Sequence, residues 1–235
     1  MIDGERVEFG TSGFLYRSNK LMFDRKTETL WRQFLGVPAV GPLVGSGMKL
    51  EVLPMTLTVW SDWVAEHPDT TVLDLNTGIY AEDAYPSESE SGSAYFGYRY
   101  QKDTIFPVPE RSSDLETKEQ VFGLAFGDQA RAYPISLFDA QTVINDTVAD
   151  RNVVIFLAGS GVRAYDRGGH VFTIAPSATG RPAVLTDERG VDWRTGENAL
   201  VSLDGSGQTL EQLPSRDSYW FGWYAFYPHT GIYSP

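Results

Sequence analysis

The run LEVLPMTLTVWSDWVAEHPDTTVL, from Leu50 to Leu73, returns near the C-terminus as LEQLPSRDSYWFGWYAFYPHTGIY, from Leu210 to Tyr233. Equivalent residues lie 160 positions apart without a gap, as Trp220 does from Trp60. Leu50, Glu51, Leu53, Pro54, Trp60, Trp63, Ala65, Pro68 and Thr70 recur as Leu210, Glu211, Leu213, Pro214, Trp220, Trp223, Ala225, Pro228 and Thr230. So ordered a match reads as an internal duplication, and a chain that carries one is constrained to build a similar small unit twice.

Each copy reads the same way locally. A short strand, Lys49 to Leu53 or Thr209 to Leu213, is stopped by a proline that has no N–H for a sheet ladder, and a short helix follows until Pro68 or Pro228 ends it. Thr58 or Ser61 is expected to cap the first helix and Asp217 or Ser218 the second, through a side-chain oxygen that accepts from free backbone N–H groups. Trp60, Trp63, Val64 and His67 fall at helical spacing, as do Trp220, Trp223, Tyr224 and Tyr227, so each helix should press an aromatic face into the body. Phe221 and Phe226 make the second helix apolar nearly all round, which suits burial or an interface. The same rings could stack a glycan, although large aromatics at helical period more often fill cores.

Before the first copy of the repeat, short β-like runs (VEF, GFLY, KLMF, TLWRQ, PAVG and KLEVL) alternate with turn signals, which predicts a meander or small barrel over residues 7–57. Asp24-Arg25-Lys26-Thr27 reads as a turn in which Asp24 bonds its own backbone, and Asp187-Glu188-Arg189-Gly190 as its partner. Trp31 and Trp193 then occupy matching places. In the second unit, VFGLAFGDQARAYP outlines a hairpin about Gly127-Asp128-Gln129, followed by a short helix from Ser136 to Ile144 and a turn at Asn145-Asp146. NVVIFLA reads as a buried strand and VRAYDR and HVFTIA as further strands joined through Gly168-Gly169. These elements have no counterpart before Met1. Either the first unit is a piece lacking its opening elements, or the second unit or another chain supplies the pairing.

Between Thr77 and Glu119 the repeat gives way to serine, glutamate, glycine and tyrosine, with Tyr80, Tyr85, Tyr95, Tyr98 and Tyr100. Disordered segments are poor in aromatics, so this connection should wrap across the surface, with Pro107 and Pro109 keeping it extended. The expected organisation is a first repeat unit over 1–78, the tyrosine-rich connection over 79–119 and the second repeat unit over 120–235, in a mainly β, α+β fold with short aromatic helices.

Charge and cysteine content then remove whole classes of function. Thirty-one acidic against nineteen basic residues give a formal charge of −12, which opposes phosphate backbones and argues against nucleic acid as partner. With no cysteine, disulfides, thiolate nucleophiles and cysteine-ligated metal are impossible within this chain. MIDGERVEF lacks the basic start and apolar run of a secretory signal, and no stretch reaches the roughly 18 apolar residues of a membrane span.

The chemistry-bearing residues are few. Asp24, Arg25, His67 and Asp69 form the candidate catalytic set, because a carboxylate beside a histidine can poise a general base. Arg32, Trp31 and Tyr95 are the candidate ligand-binding residues. Asp24 with Arg25 more often shapes a turn, and His67 and His229 flank the matched prolines, where a histidine can cap helix carbonyls. His170 reads as a surface turn residue. Ser12 lacks the Gly-x-Ser-x-Gly elbow, the acidic run Glu82, Asp83, Glu88 and Glu90 misses the spacing of a calcium loop, and no lysine follows the Gly-Ser-Gly turns at 45–47 and 205–207 as a phosphate loop requires. No metal site and no cofactor are expected.

FGTSGFLYRSNKLMFDRKTETLWRQ, GPLVGSGMKLEVLP, TVWSDWVAEHPDTTVL and the later ARAYP, NDTV and aromatic closing segment from Tyr219 to Tyr227 together resemble the bacterial and archaeal family known as domain of unknown function 3179. The likeness covers nearly the whole chain, and the spacing of Asp24, Thr27, Leu30 and Trp31 makes it specific. Members of that family usually begin earlier, with a segment that ends in a Cys-Pro-Leu-Cys turn; that cysteine pair has no position here, and Phe156 to Gly161 contains none. The resemblance implies frequent export or membrane anchoring in relatives and supplies no established reaction.

The leading expectation is a non-catalytic, extracytoplasmic binding or assembly module whose partner is a small molecule, a glycan or a protein, a second copy of the chain included. The alternative is a hydrolase that uses Asp24, His67 and Asp69. An enzyme should gather those three side chains in one open pocket, whereas a module should bury Trp60 and Trp63 and bond His67 to backbone.

Overall fold

The computed structural model describes residues 2, 4–76, 78–81, 84, 87, 90–93, 95–139, 141–175, 184–196 and 198–235. Alternating apolar residues and glycine-rich turns make it mainly β, with short helices, as the sequence predicts. Strands β1 (Phe9–Tyr16), β2 (Asn19–Asp24), β3 (Leu30–Arg32) and β4 (Val37–Val40) form an antiparallel meander paired in chain order. Arg17 and Ser18 join β1 to β2 with φ of 52° and 63°, the left-handed pair that a tight two-residue hairpin needs. Helices α1 (Trp60–Glu66) and α2 (Phe96–Tyr100) follow.

Strands β5 (Gln120–Phe126) and β6 (Gln129–Pro134) make the expected hairpin, turning at Gly127, whose φ is 59°. Next come β7 (Val143–Val148), β8 (Arg151–Ala158) and β9 (Gly161–Asp166), an antiparallel sheet in that order. A five-stranded sheet pairs β10 (Phe172–Ile174), β11 (Val184–Asp187), β12 (Asp192–Thr195), β13 (Ala199–Ser202) and β14 (Thr209–Glu211) in chain order. The chain then returns to the hairpin: β15 (Arg216–Tyr219) pairs antiparallel with β5, α3 (Trp220–Phe226) crosses, and β16 (Gly231–Ile232) pairs parallel with β6.

Strand β8 lies at the centre. Val153 and Ile155 face a core with Phe122, Leu124 and Tyr133 of the β5–β6 hairpin, while Val154, Phe156 and Ala158 face one with Phe172, Leu185, Trp193 and Leu200 of the five-stranded sheet. An apolar strand buried on both faces needs no polar alternation, which is why NVVIFLA reads as a continuous run. The far side of the hairpin carries a third core, in which Val121 and Ala132 pack against Trp220 and Trp223 of α3 and Phe34 of the first meander.

Several sequence expectations need correction. Lys49 to Leu53 is not a strand; Leu50 makes one backbone bond, its N–H donating to the Gly36 carbonyl at 2.8 Å, whereas Thr209–Glu211 pairs fully with β13. Pro38 in β4 has no N–H to offer, which weakens the edge such a strand would join. The helix expected from Ser136 to Ile144 is a single 3-10 turn over Ile135–Leu137 followed by β7, and Asn145 and Asp146 sit inside β7 rather than in a turn. They tie sheets together: Asn145 exchanges two hydrogen bonds of 2.8 and 2.9 Å with the Phe172 backbone, and Asp146 accepts from Arg131 and from the Tyr133 hydroxyl at 2.7 and 2.8 Å. Gly168-Gly169 carries the chain from one sheet to the next and joins no paired strands. Neither α1 nor α3 has a side-chain cap; Val59 and Tyr219 occupy the cap positions.

The largest correction concerns α1. Trp60 and Trp63 are 55% and 39% exposed, against 1% and 0% for Trp220 and Trp223. The burial expected of both helices holds for α3 alone. In the connection, Tyr80, Tyr95 and Tyr100 are exposed and Val108 is buried; Tyr85 lies outside the described residues, as do Glu82, Asp83 and Glu88 of the acidic run.

Candidate binding cleft

Asp24 ends β2 fully buried, and its carboxylate bonds to the next turn and to Trp31 of β3. Oδ1 accepts from the Lys26 and Thr27 amides at 3.1 and 2.6 Å, and Oδ2 from the Thr27 hydroxyl at 2.7 Å and the Trp31 indole at 2.8 Å. Burial pushes such a carboxyl up, but the donated bonds, the indole foremost, outweigh it and hold Asp24 below its ordinary value. The device recurs at Asp187. Asp187 Oδ2 accepts from the Trp193 indole at 3.2 Å and from Arg189 at 2.7 Å, and Oδ1 accepts the Arg189 and Val191 amides. Against the upward push of burial, Arg189 and these amides draw Asp187 down to about 2. In both units a turn carboxylate fastens a buried tryptophan. Arg25 is exposed beside Glu8, at 4.0 Å, with its guanidinium over Phe23.

His67 closes α1 with its ring 4.1 Å from that of Trp63. It lines a cavity of about 710 Å³ with Glu66, Arg163, Thr56 and Gln212, and Arg163 Nη2 donates to Glu66 Oε2 at 3.2 Å. Neither Asp24 nor Asp69 lines this cavity, and Asp69 is exposed in the turn after the helix. The set Asp24, His67 and Asp69 is therefore not gathered in it, and the exposure of Trp60 and Trp63 departs equally from the arrangement expected of a module.

His170, read from sequence as a surface residue, is half-buried between Phe172 and Trp193. Its Nδ1 lies 3.6 Å from Asp187 and 3.3 Å from Glu188, and ligand atoms of the three all fall within 4.8 Å of one another. Asp187 already accepts from Arg189, Val191 and Trp193, so this cluster is bonded into the turn that holds Trp193.

Trp31 and Arg32 do come together in a second cavity, of about 610 Å³, between β3 and residues 50–57 on one side and Ser215–Asp217 on the other. Phe34, Val52, Leu53, Met55 and Leu57 give it an apolar wall. Tyr95 is exposed on the connection before α2 and does not line it. Arg32 stacks 4.6 Å from the Tyr16 ring centroid, and its Nε is buried without a hydrogen-bond partner. Arg216 donates to the Ser215 and Phe34 carbonyls at 2.8 and 3.3 Å, and burial lowers its pKa. Asp217, next in the strand, keeps a solvent-facing edge, yet burial beside this cavity raises it to about 6. Sequence reading missed both as cleft residues. The signal was a difference between copies: Arg216-Asp217 stands where the first copy has Thr56-Leu57.

No curated protein and no solved structure matches the chain. The model of a family described as protein of unknown function (DUF3179) matches residues 1–230. The chain belongs to the DUF3179 family.

Proposed function

We propose that the protein is a non-catalytic binding or assembly module whose ligand site is the cleft around Trp31 and Arg32. The observation that carries this reading is the mixture in that cavity of about 610 Å³: a largely apolar wall with a few polar groups set into it, the usual make-up of a small-molecule site. An extracytoplasmic placement is implied by family resemblance alone.

The uncharged dye phenylnaphthylamine, which brightens in apolar surroundings, tests it. Met55 and Leu57 are exposed wall residues, so Met55→Gln with Leu57→Gln should leave the fold intact and cut dye binding several-fold. Unchanged binding in that double variant, or binding that vanishes instead with Trp60→Ala and Trp63→Ala, would overturn the cleft as the site.

A hydrolase centred on His67 is the competing reading, supported by the cavity that His67 shares with Glu66 and Arg163. Turnover of an ester, phosphate or glycoside panel that His67→Ala abolishes would displace the module.

A further inference from the structure

We infer that the ligand of this cleft is an anion with an apolar body, its carboxylate, sulfonate or phosphate held between Arg32 and Arg216. The inference rests on the cleft being the binding site and adds the chemical class of what enters it.

Several arginines of this acidic chain bond no carboxylate, Arg17 and Arg167 among them, but Arg32 and Arg216 line one cavity together. Acidic residues outnumber basic ones by 31 to 19, so a cation has many carboxylates available to it. Arg25, Arg111, Arg131, Arg163 and Arg189 each take one. Among the described residues, neither Arg32 nor Arg216 does, although both line the same cavity.

Their remaining contacts leave donors for a ligand. Arg32 is held against the Tyr16 ring, and among the described residues no acceptor meets its guanidinium N–H groups. Arg216 reaches two carbonyls and is stacked over Phe34 at 5.9 Å. Carbonyls and ring faces satisfy only part of a guanidinium, which has five N–H donors and pairs best with a planar or tetrahedral oxyanion. Burial of an uncompensated cation is costly, and an arriving anion relieves that cost, so it binds more strongly than at an exposed arginine.

Two carboxylates border the cavity and set its limits. Glu51 is exposed, and Asp217 alternates with Arg216 along β15, so the two side chains leave the strand on opposite sides and Asp217 also faces a neighbouring cavity. Consistent with that, the raised pKa of Asp217 comes from burial, with no lowering by Arg216.

Anilinonaphthalene sulfonate and phenylnaphthylamine share an aromatic body and differ in charge, so the pair separates this inference from the reading beneath it. The sulfonate should bind the whole protein about tenfold or more tightly than the amine, and Arg32→Gln and Arg216→Gln should each cut that sulfonate-over-amine ratio about tenfold. Urea unfolding of each variant shows that the cleft is still folded. Arg32→Lys should recover part of the loss, and inorganic phosphate should compete with the sulfonate dye. If neither dye binds, the cleft reading itself fails. Equal binding of both dyes, or sulfonate binding indifferent to both arginine substitutions, overturns the anion and leaves the cleft standing.

Discussion

Helices α1 and α3 are the same local structure in two surroundings. Their cap residues match to within ten degrees: Val59 and Tyr219 lie at φ/ψ of −78/151 and −68/150, His67 and Tyr227 at −129/69 and −129/67. Trp63 and Trp223 each donate an indole N–H to a threonine hydroxyl, Thr70 and Thr230, at 2.9 Å. Beyond the helix the likeness ends. β15 pairs with β5, Glu119 and Thr117 carbonyls receive the Trp220 and Phe221 amides at 2.7 and 3.1 Å, and Trp223 lies on the bare backbone of Gly123. Thr56–Val59 has no ladder partner and leans on Ser160, which meets Thr58 and Val59 at 2.7 and 2.9 Å; among the described residues no carbonyl receives the Trp60 or Ser61 amide. The shape of a seven-residue helix is thus written in its own sequence, while its burial is written in a strand about 100 residues away.

Tryptophan truncation should break the likeness most plainly. Trp223→Ala empties a fully buried site and should cost about 3–5 kcal/mol, whereas Trp63→Ala removes a half-exposed ring and should cost about 1 kcal/mol or less. Urea unfolding measures both, and equal losses would mean that α1 is covered in solution as α3 is. Gly123 sharpens the same point, since a Cβ there would stand 2.2 Å from Trp223 Cζ3. Gly123→Ala should therefore cost about 1–3 kcal/mol, and much less in a Trp223→Ala background where the clash is gone; additive losses would contradict the contact.

The indole locks run the other way, as the place where the units agree. Trp31→Phe and Trp193→Phe keep an aromatic ring but remove the donor to a buried Asp24 or Asp187, and each should cost about 1–3 kcal/mol. A loss confined to Trp193→Phe would show that the Asp187 turn alone depends on its lock, and one confined to Trp31→Phe the reverse.

Features fixed by near neighbours in the chain were legible in the sequence. The Asp24 turn, the Gly127 hairpin and the doubly buried NVVIFLA strand follow from local spacing, and the similar stretches 160 positions apart placed both helices. What needed a distant partner was not. Asn145-Asp146 has the composition of a turn, but Arg131, Tyr133 and the Phe172 backbone make its polar groups worth keeping in a strand. Periodicity gave α1 an aromatic face and could not say whether a sheet would lie against it. At the site, Trp31 and Arg32 were picked out as residues, yet Arg216 and Asp217 join them through folding across more than 180 positions.

Asp217 gives the smallest and most specific separation of the two copies, because the first unit has Leu57 at that place. Burial raises the Asp217 carboxyl from an ordinary 3.8 to about 6, so the native state binds its proton more readily than the unfolded chain does. Above pH 6 folding has to hold a desolvated carboxylate, which opposes stability; between about 6 and 3.8 the native group protonates first and that opposition fades; below 3.8 both states are protonated and nothing more changes. Asp217→Asn removes the charge while keeping the shape. Because Asp217 is partly exposed and screened by solvent, the substitution should raise the melting temperature at pH 7.5 by about a degree and leave it nearly unchanged at pH 4, read as variant minus wild type so that the other carboxylates cancel. The charged groups around it, Glu51, Arg32 and Arg216, are the same in both proteins. A gain that persists undiminished at pH 4, or a loss at pH 7.5, would mean that Asp217 is solvated or bonded as an anion, and that the two copies differ there in sequence without differing in electrostatics.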